Sequence, residues 1–280
     1  MIHSNSRQES ESIRQPLVAG RFYPGNPAEL RREVEAYLAK AQPESDAPTI
    51  LAMVPHAGYV YSGAVAGRTL GAANLADTLI LLGPNHTGRG RRLAVWPDGA
   101  WVIPGGQIPV DADLAEAFLA AEPRLAADTA AHLGEHSLEV LLPFLRQRNP
   151  ACRIVPVVVS EPDPDVLGEV AVAMAGVVRN RTEPVSIVVS SDMSHYVPVD
   201  TAKRLDALAL SRALALDPPG LWRVVRESGI SMCGVLPMVL GLHLANALGA
   251  GEAKLAAYAT SGDASGDMSQ VVGYAGLLAQ

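Results

Sequence analysis

Four stretches of this chain are apolar at nearly every position: 49–55 (TILAMVP), 78–82 (TLILL), 153–159 (RIVPVVV) and 185–189 (VSIVV). Such runs suit strands covered on both faces. Residues 255–260 and 271–278 are further strand candidates near the end of the chain. Between the runs the period changes to that of a helix. Residues 27–41 place Leu30, Val34, Tyr37 and Leu38 on one side. Residues 111–120 open on Asp111, a good N-cap, and continue through Leu114, Phe118 and Leu119. Residues 164–179, 200–216 and 235–248 read as helices, as does a segment from Glu135 with Leu138, Leu141, Leu142 and Leu145 on its buried side. Strands alternating with helices predict an α/β fold, a single layered domain with a largely parallel central sheet flanked by helices. No Pro/Gly/Ser linker divides the chain after residue 16, so the domain is expected to run over 16–280. Residues 1–15 are polar, carry both charge signs and read as a flexible N-terminal tail.

The 280 residues include enough apolar side chains for a sizeable core. The apolar runs stop short of the roughly 18–20 residues a membrane span needs. With no start resembling a signal peptide, the expected compartment is the cytoplasm, with no membrane partner. Acids number 29 against 22 Lys plus Arg, for a formal charge of −7, which argues against a nucleic-acid partner. The densest basic cluster, Arg89, Arg91 and Arg92, reads as a solvated loop. Two cysteines form neither a disulfide framework nor a Cys-rich zinc site.

Ligands of open α/β sheets bind beyond the carboxyl ends of the strands. Three polar clusters follow apolar runs by a few residues: His56 in VPHAGYVYSG, His86 in LLGPNHTG, and Asp192 with His195 in VVSSDMSHY. A single histidine at such a place is more often a structural or surface residue, and the glycines beside these fit ordinary turns. Three cases on one sheet edge point to a shared site. Cys233 precedes the helical pattern at 235–248, where the helix dipole favours a thiolate. Taken alone, such a cysteine is more often a small buried hydrophobe. Cys152 has no such context and is read as structural. His132-Leu133-Gly134-Glu135-His136 matches the inverted zinc-peptidase pattern, which needs one helix to face both histidines the same way. Gly134 weakens such a helix by about 1 kcal/mol relative to Ala. His136 remains a pocket candidate. Asp263 and Asp267 read as capping residues of a Gly-rich turn. No G-x-G-x-x-G, P-loop or G-x-S-x-G is present.

These residues sit in a recognisable series: VAGRFYPG (18–25), VPHAGYVYSG (54–63), LLGPNHTG (81–88), EHSLEVLLPFL (135–145), VVSSDMSHY (188–196), MCG (232–234) and YATSGDASGDMSQVVGYAG (258–276). The series resembles the Memo family, whose bacterial and archaeal members are called AmmeMemoRadiSam system protein B. The resemblance implies a fold similar to class III extradiol dioxygenase catalytic subunits. It implies metal ligands at His56, His86 and Cys233, with Cys233 where the dioxygenases have a carboxylate. It implies a proton-handling role for His195, with Asp192 as an orienter or additional ligand. Tyr59, Asn85, His136 and Tyr196 are the expected substrate-binding residues, with Tyr61 also beside the pocket. The metal expected by resemblance is Fe(II); the thiolate shifts preference towards Cu(I), Zn(II) or thiolate-tolerant Fe(II). The sequence departs from relatives locally at Ile103-Pro104-Gly105-Gly106. A metal-dependent, dioxygenase-like oxidoreductase acting on a small substrate is one reading. A metal- or peptide-binding module without turnover is the second, and a zinc peptidase the third. The family name further implies AMMECR-type and radical SAM partner proteins. One shared site requires the three ligand atoms to lie within about 4–5 Å of one another, given metal–ligand bonds of roughly 2.0–2.3 Å.

Overall fold

The computed structural model of the protein describes residues 12–41 and 46–280. In chain order the strands are β1 (Ile13–Arg14), β2 (Leu51–Val54), β3 (Thr78–Pro84), β4 (Leu93–Val95), β5 (Ala100–Ile103), β6 (Gly106–Pro109), β7 (Ala126–Ala127), β8 (Arg153–Val159), β9 (Val185–Ser190), β10 (His195–Val197), β11 (Ala253–Thr260) and β12 (Val271–Ala279). The helices are α1 (Pro27–Leu38), α2 (Tyr59–Ala72), α3 (Ala112–Ala121), α4 (Ala130–Leu133), α5 (Leu142–Arg148), α6 (Pro164–Arg179), α7 (Val199–Leu214), α8 (Pro218–Glu227), α9 (Val235–Ala247) and α10 (Gly262–Ser265).

The four apolar runs form the middle of the main sheet. β2, β9, β3 and β8 lie side by side and parallel. Alternate residues serve two cores, as a period of two dictates. Leu51, Met53, Ile80 and Leu82 face one core, with α3 and α6 to α9. Ala52, Val54, Leu79 and Leu81 face the other, with α1, α2 and α5. The sheet is mixed rather than largely parallel, because the flanking strands return by hairpins and short loops. β12 runs antiparallel to β2, β10 and β11, and β4 antiparallel to β8. β1, β5 and β6 form a separate small sheet.

Two expectations need correcting. The N-terminal tail was expected to reach residue 15, but β1 pairs with β5 and Arg14 is buried. Its aliphatic stem and guanidinium find internal partners, which offset the cost of ordering the segment; residues 1–11 lie outside the described residues. The helix expected from Glu135 is in pieces. α4 ends at Gly134, a 3₁₀ turn covers Glu139–Leu141, and α5 starts only at Leu142 with Pro143 in its first turn. Among the described residues, no helix is long and apolar enough to cross a membrane.

Candidate metal centre

β2, β9 and β3 are parallel neighbours, so their carboxyl ends open on one edge of the sheet. His56 comes two residues after β2, Asp192 two after β9 and His86 two after β3. The Ser191 N–H donates to the Val54 carbonyl at 2.9 Å, tying the exit of β9 to that of β2. A Cβ at Gly83 would meet Ser137 Oγ at 2.9 Å and the Leu138 side chain at 2.7 Å. The glycine thereby lets the segment carrying Glu135 and His136 lie against the end of β3.

His56 is buried, and its tautomer follows from its neighbours. The Ser190 hydroxyl donates its single proton to the Ser137 carbonyl at 2.7 Å. Ser190 Oγ can then only accept from His56, so Nδ1, 2.8 Å away, carries the imidazole proton. Nε2 keeps its lone pair and lies 3.5 Å from Cys233 Sγ. Burial is the main force lowering the His56 pKa, to about 4, against the pull of Asp192, so the ring is neutral at neutral pH.

His86 is the more exposed imidazole, and a buried carboxylate orients it. Its Nδ1 lies 3.0 Å from Glu135 Oε1, and its backbone N–H donates to Glu135 Oε2 at 2.6 Å. Glu135 Oε1 also accepts from the N–H groups of His136 and Ser137, each at 2.9 Å. Burial alone would raise the Glu135 pKa, but the bonds and charge of His86 and the backbone donors outweigh it and hold it at about 2. Burial lowers the His86 pKa, but the bond to and the charge of Glu135 raise it overall; the carboxylate accepts the Nδ1 proton, so Nε2 is the nitrogen a metal would take in place of a proton. A carboxylate behind a histidine is the usual device for fixing a metal-binding tautomer.

Cys233 enters from the turn before α9. A Cβ at Gly234 would sit 2.5 Å from the Ser190 carbonyl oxygen and 2.4 Å from Ser191 Cβ, so only glycine lets this turn close on the end of β9. The Asp192 N–H donates to Cys233 Sγ at 3.2 Å. Despite the helix start, the thiol is not activated: burial, then the Asp192 charge, push its pKa well up. The free protein therefore carries a thiol, and the thiolate forms only when a cation replaces the proton. His56, His86 and Cys233 offer ligand atoms all within 4.8 Å of one another. Two neutral-type imidazole nitrogens and one sulfur fit a borderline or soft first-row metal, and a tetrahedral site with such bonds separates N and S ligands by about 3.5 Å.

The other expected residues fall into three groups. Asp192 is buried at the centre, its Oδ1 accepting the His56 N–H at 2.8 Å. His136 stacks on His86 with ring centroids 5.1 Å apart and meets His56 edge-on at 5.6 Å; Phe22, which the sequence did not mark, also meets it edge-on at 4.9 Å. His86, Glu135 and His136 form a second group with metal-ligand spacing. His195 belongs to neither group; its Nδ1 donates to the Ser231 carbonyl at 2.9 Å, two residues before Cys233. Tyr196 beside it is exposed and has φ 55°, an uncommon backbone for a bulky residue.

Tyr59, expected to bind substrate, instead packs in the core against Tyr23, Tyr37 and Phe144 and donates its hydroxyl proton to the Val140 carbonyl. As the first residue of α2 it turns inward, where a ring of its size is buried best. Asn85 shapes its own loop: Oδ1 accepts from Thr87 and Gly88, and Nδ2 donates to the Arg89 carbonyl. The peptidase pattern also fails. His132 is fully buried beside Trp96 and Trp101, bonded to the Ala94 carbonyl, while His136 faces the centre. Gly134 ends the helix between them, so the two rings never share a face. Asp263 accepts from the Thr260 N–H and Asp267 from the Ser269 N–H, as turn caps do. The sequence also gave no separate place to Ser190, Ser137 and Ser231. A serine next to a strand-end histidine or aspartate is the signal that could have drawn attention to them.

The model of the family described as Memo-like protein matches residues 14–278. A MEMO1 family protein of Methanopyrus kandleri is 39% identical over 277 residues, covering 95% of this chain and 98% of its own. One from Methanothermobacter thermautotrophicus is 38% identical over 275 residues, with 95% and 99% covered, and one from Aquifex aeolicus 39% over 267, with 95% and 98%. Among solved structures, an uncharacterized protein from Escherichia coli K12 superposes with a TM-score of 0.54 at 12% identity, over 81% of this chain and 98% of that one, which is a likeness of fold alone. The motifs, the convergence of His56, His86 and Cys233, and these matches over nearly the whole length agree: the chain belongs to the Memo family.

Proposed function

We propose that the protein is a metal-dependent oxidoreductase, dioxygenase-like in its site, that holds one ion at His56, His86 and Cys233 and acts on a small substrate. One observation carries this reading. Both histidines have Nδ1 engaged, by Ser190 and by Glu135, and so keep Nε2 free beside the Cys233 sulfur. A core histidine with only a packing role needs no such arrangement. An Fe(II) or similar ion would supply open positions for a substrate and an oxidant. The protein's own groups do the rest. Asp192 fixes the backbone of His56 through its carboxylate and the sulfur of Cys233 through its own N–H. His195, its Nδ1–H given to Ser231, has Nε2 available to take or return a substrate proton. His136, Phe22 and Tyr196 shape the approach to the centre.

The test is metal quantification on protein purified without oxygen, followed by cobalt(II) titration and oxygen-uptake screening. About one equivalent of bound metal is expected, with a cobalt–thiolate absorption band that Cys233→Ser abolishes. His195→Ala should keep the metal and lower any turnover by about 10²–10⁴-fold. Unchanged metal affinity in folded Cys233→Ser would remove the thiolate from the centre. Metal binding without oxygen uptake on any substrate tried would favour a binding module.

A further inference from the structure

Asp206, on α7, is a fully buried carboxylate that the centre described above does not use. No ion pair joins it among the described residues, although a buried charge normally has a cationic partner. Its two oxygens go to two places. Oδ1 accepts the Ser194 N–H at 2.9 Å, and Oδ2 accepts the Tyr258 hydroxyl at 2.7 Å, from β11. Ser194 lies between Asp192 and His195, in the loop joining β9 to β10. β12 holds the same loop from the other side: the Met193 N–H donates to the Gly273 carbonyl at 2.8 Å, and the Gly273 N–H to the Ser194 carbonyl at 2.9 Å. A Cβ at position 273 would sit 2.0 Å from Asp206 Oδ2, so glycine there is what lets the carboxylate reach the loop. Just beyond, the pairing of β10 with β12 shifts register between His195 and Val197, and Tyr196 takes its left-handed backbone. Bulges of this kind re-aim a neighbouring side chain and need firm support.

We propose that Asp206, braced by Tyr258, is a positioning residue that anchors the loop carrying Asp192 and His195. A contact serving only helix–sheet packing would be met by an apolar side chain without the cost of a buried charge. A carboxylate aimed at a loop amide gives a stronger, directional bond. The inference rests on the reading that Asp192 and His195 serve the centre, but its test does not pass through activity.

Amide hydrogen exchange on the full chain reads the anchor directly. In Asp206→Ala, the Ser194 amide should exchange about 10–100-fold faster, the loss expected for a bond to a charged acceptor. Met193 and His195, whose amides bond to Gly273 and Ser231, should speed up with it, while β9 amides stay protected. Asp206→Asn keeps an acceptor for Ser194 and can donate to the Tyr258 oxygen, so it should restore most of the protection. Cobalt(II) affinity should fall by no more than about tenfold, because Ser190, Glu135 and Gly234 hold the ligands and only the Asp192 bonds to His56 and Cys233 pass through the loosened loop. If Asp206→Ala does not fold, Tyr258→Phe carries the test and should loosen the same three amides more mildly. Unchanged exchange at 193–195 in a folded variant, or equal acceleration in β9, would overturn the anchor. Failure of the unsubstituted protein to bind cobalt would instead sink the proposed centre and leave the exchange result standing.

Discussion

At the scale of single residues, His56 and His86 were legible because each follows an apolar strand by two residues, and Cys233 because it stands two residues before α9. Their supporting groups were not. Glu135 was read as the start of a helix and as part of a misleading peptidase pattern, not as the partner of His86, and which of its two flanking histidines faced the centre depended on where a four-residue helix stopped. The histidine that turned away has a measurable cost. His132 Nε2 donates to the Ala94 carbonyl, Nδ1 has no partner, and burial holds its pKa at about 4. The unfolded chain takes up this proton below about pH 6.5 and the folded protein not until about pH 4, so unfolding binds a proton in that window. Stability should therefore fall as pH drops from about 6.5 to 4, by about 2–4 kcal/mol from this ring. His56 adds a loss of the same sign in the metal-free protein. Urea titrations across this range should show His132→Gln, which keeps an N–H for Ala94, with a slope about one proton smaller. An unchanged slope would mean that His132 is not the titrating group.

At the scale of elements, the four central strands announced themselves as apolar runs, and α6 and β8 have the boundaries expected for them. The elements that escaped had physical reasons to do so. β1, β4, β5, β6 and β7 have two to four residues each, too few to show a period. α2 is rich in glycine, which ordinarily argues against a helix. Its glycines serve contact: a Cβ at Gly63 would meet the Tyr37 ring at 2.6 Å, and one at Gly67 would meet Tyr37 Cβ at 2.4 Å. The turn before α9 uses Gly234 in the same way, but beside the centre. This predicts a contrast. Gly234→Ala and Gly63→Ala should each destabilise the protein by about 1–3 kcal/mol through overpacking. Only Gly234→Ala should also weaken cobalt(II) binding, by about tenfold or more, because it pushes the Cys233 turn off β9. Equal metal affinity in the two variants would show that the turn has slack.

At the scale of the whole molecule, the centre is assembled from segments far apart in the chain, and the least expected of them is the first. β1 sits in the small sheet beside β5, yet Arg14 reaches back to the segment that orients His86. Its guanidinium lies over the Trp101 ring at 4.3 Å, donates to the carbonyls of His132 and Glu135, and pairs with Glu139 at 2.8 Å. Glu139 in turn accepts from the N–H groups of Leu17 and Val18 and from the Tyr23 hydroxyl. An arginine in a polar stretch looks like a solvated charge, and only its hydrogen-bond partners, more than a hundred residues away, reveal otherwise. Arg14→Met keeps the apolar stem but leaves Glu139 without its cation and removes the guanidinium donors from the Glu135 and His132 carbonyls, the second of which keeps the Glu135 N–H. It should cost about 3–5 kcal/mol, as breaking a buried ion pair does. Arg14→Lys keeps the charge but not the fork that serves three acceptors at once, so its cost should be smaller but clear. Denaturant unfolding of the three proteins should rank them Arg14, then Lys, then Met. A lysine variant as stable as the original would reduce the interaction to charge alone. A methionine variant of undiminished stability would show that the first strand adds nothing to the fold.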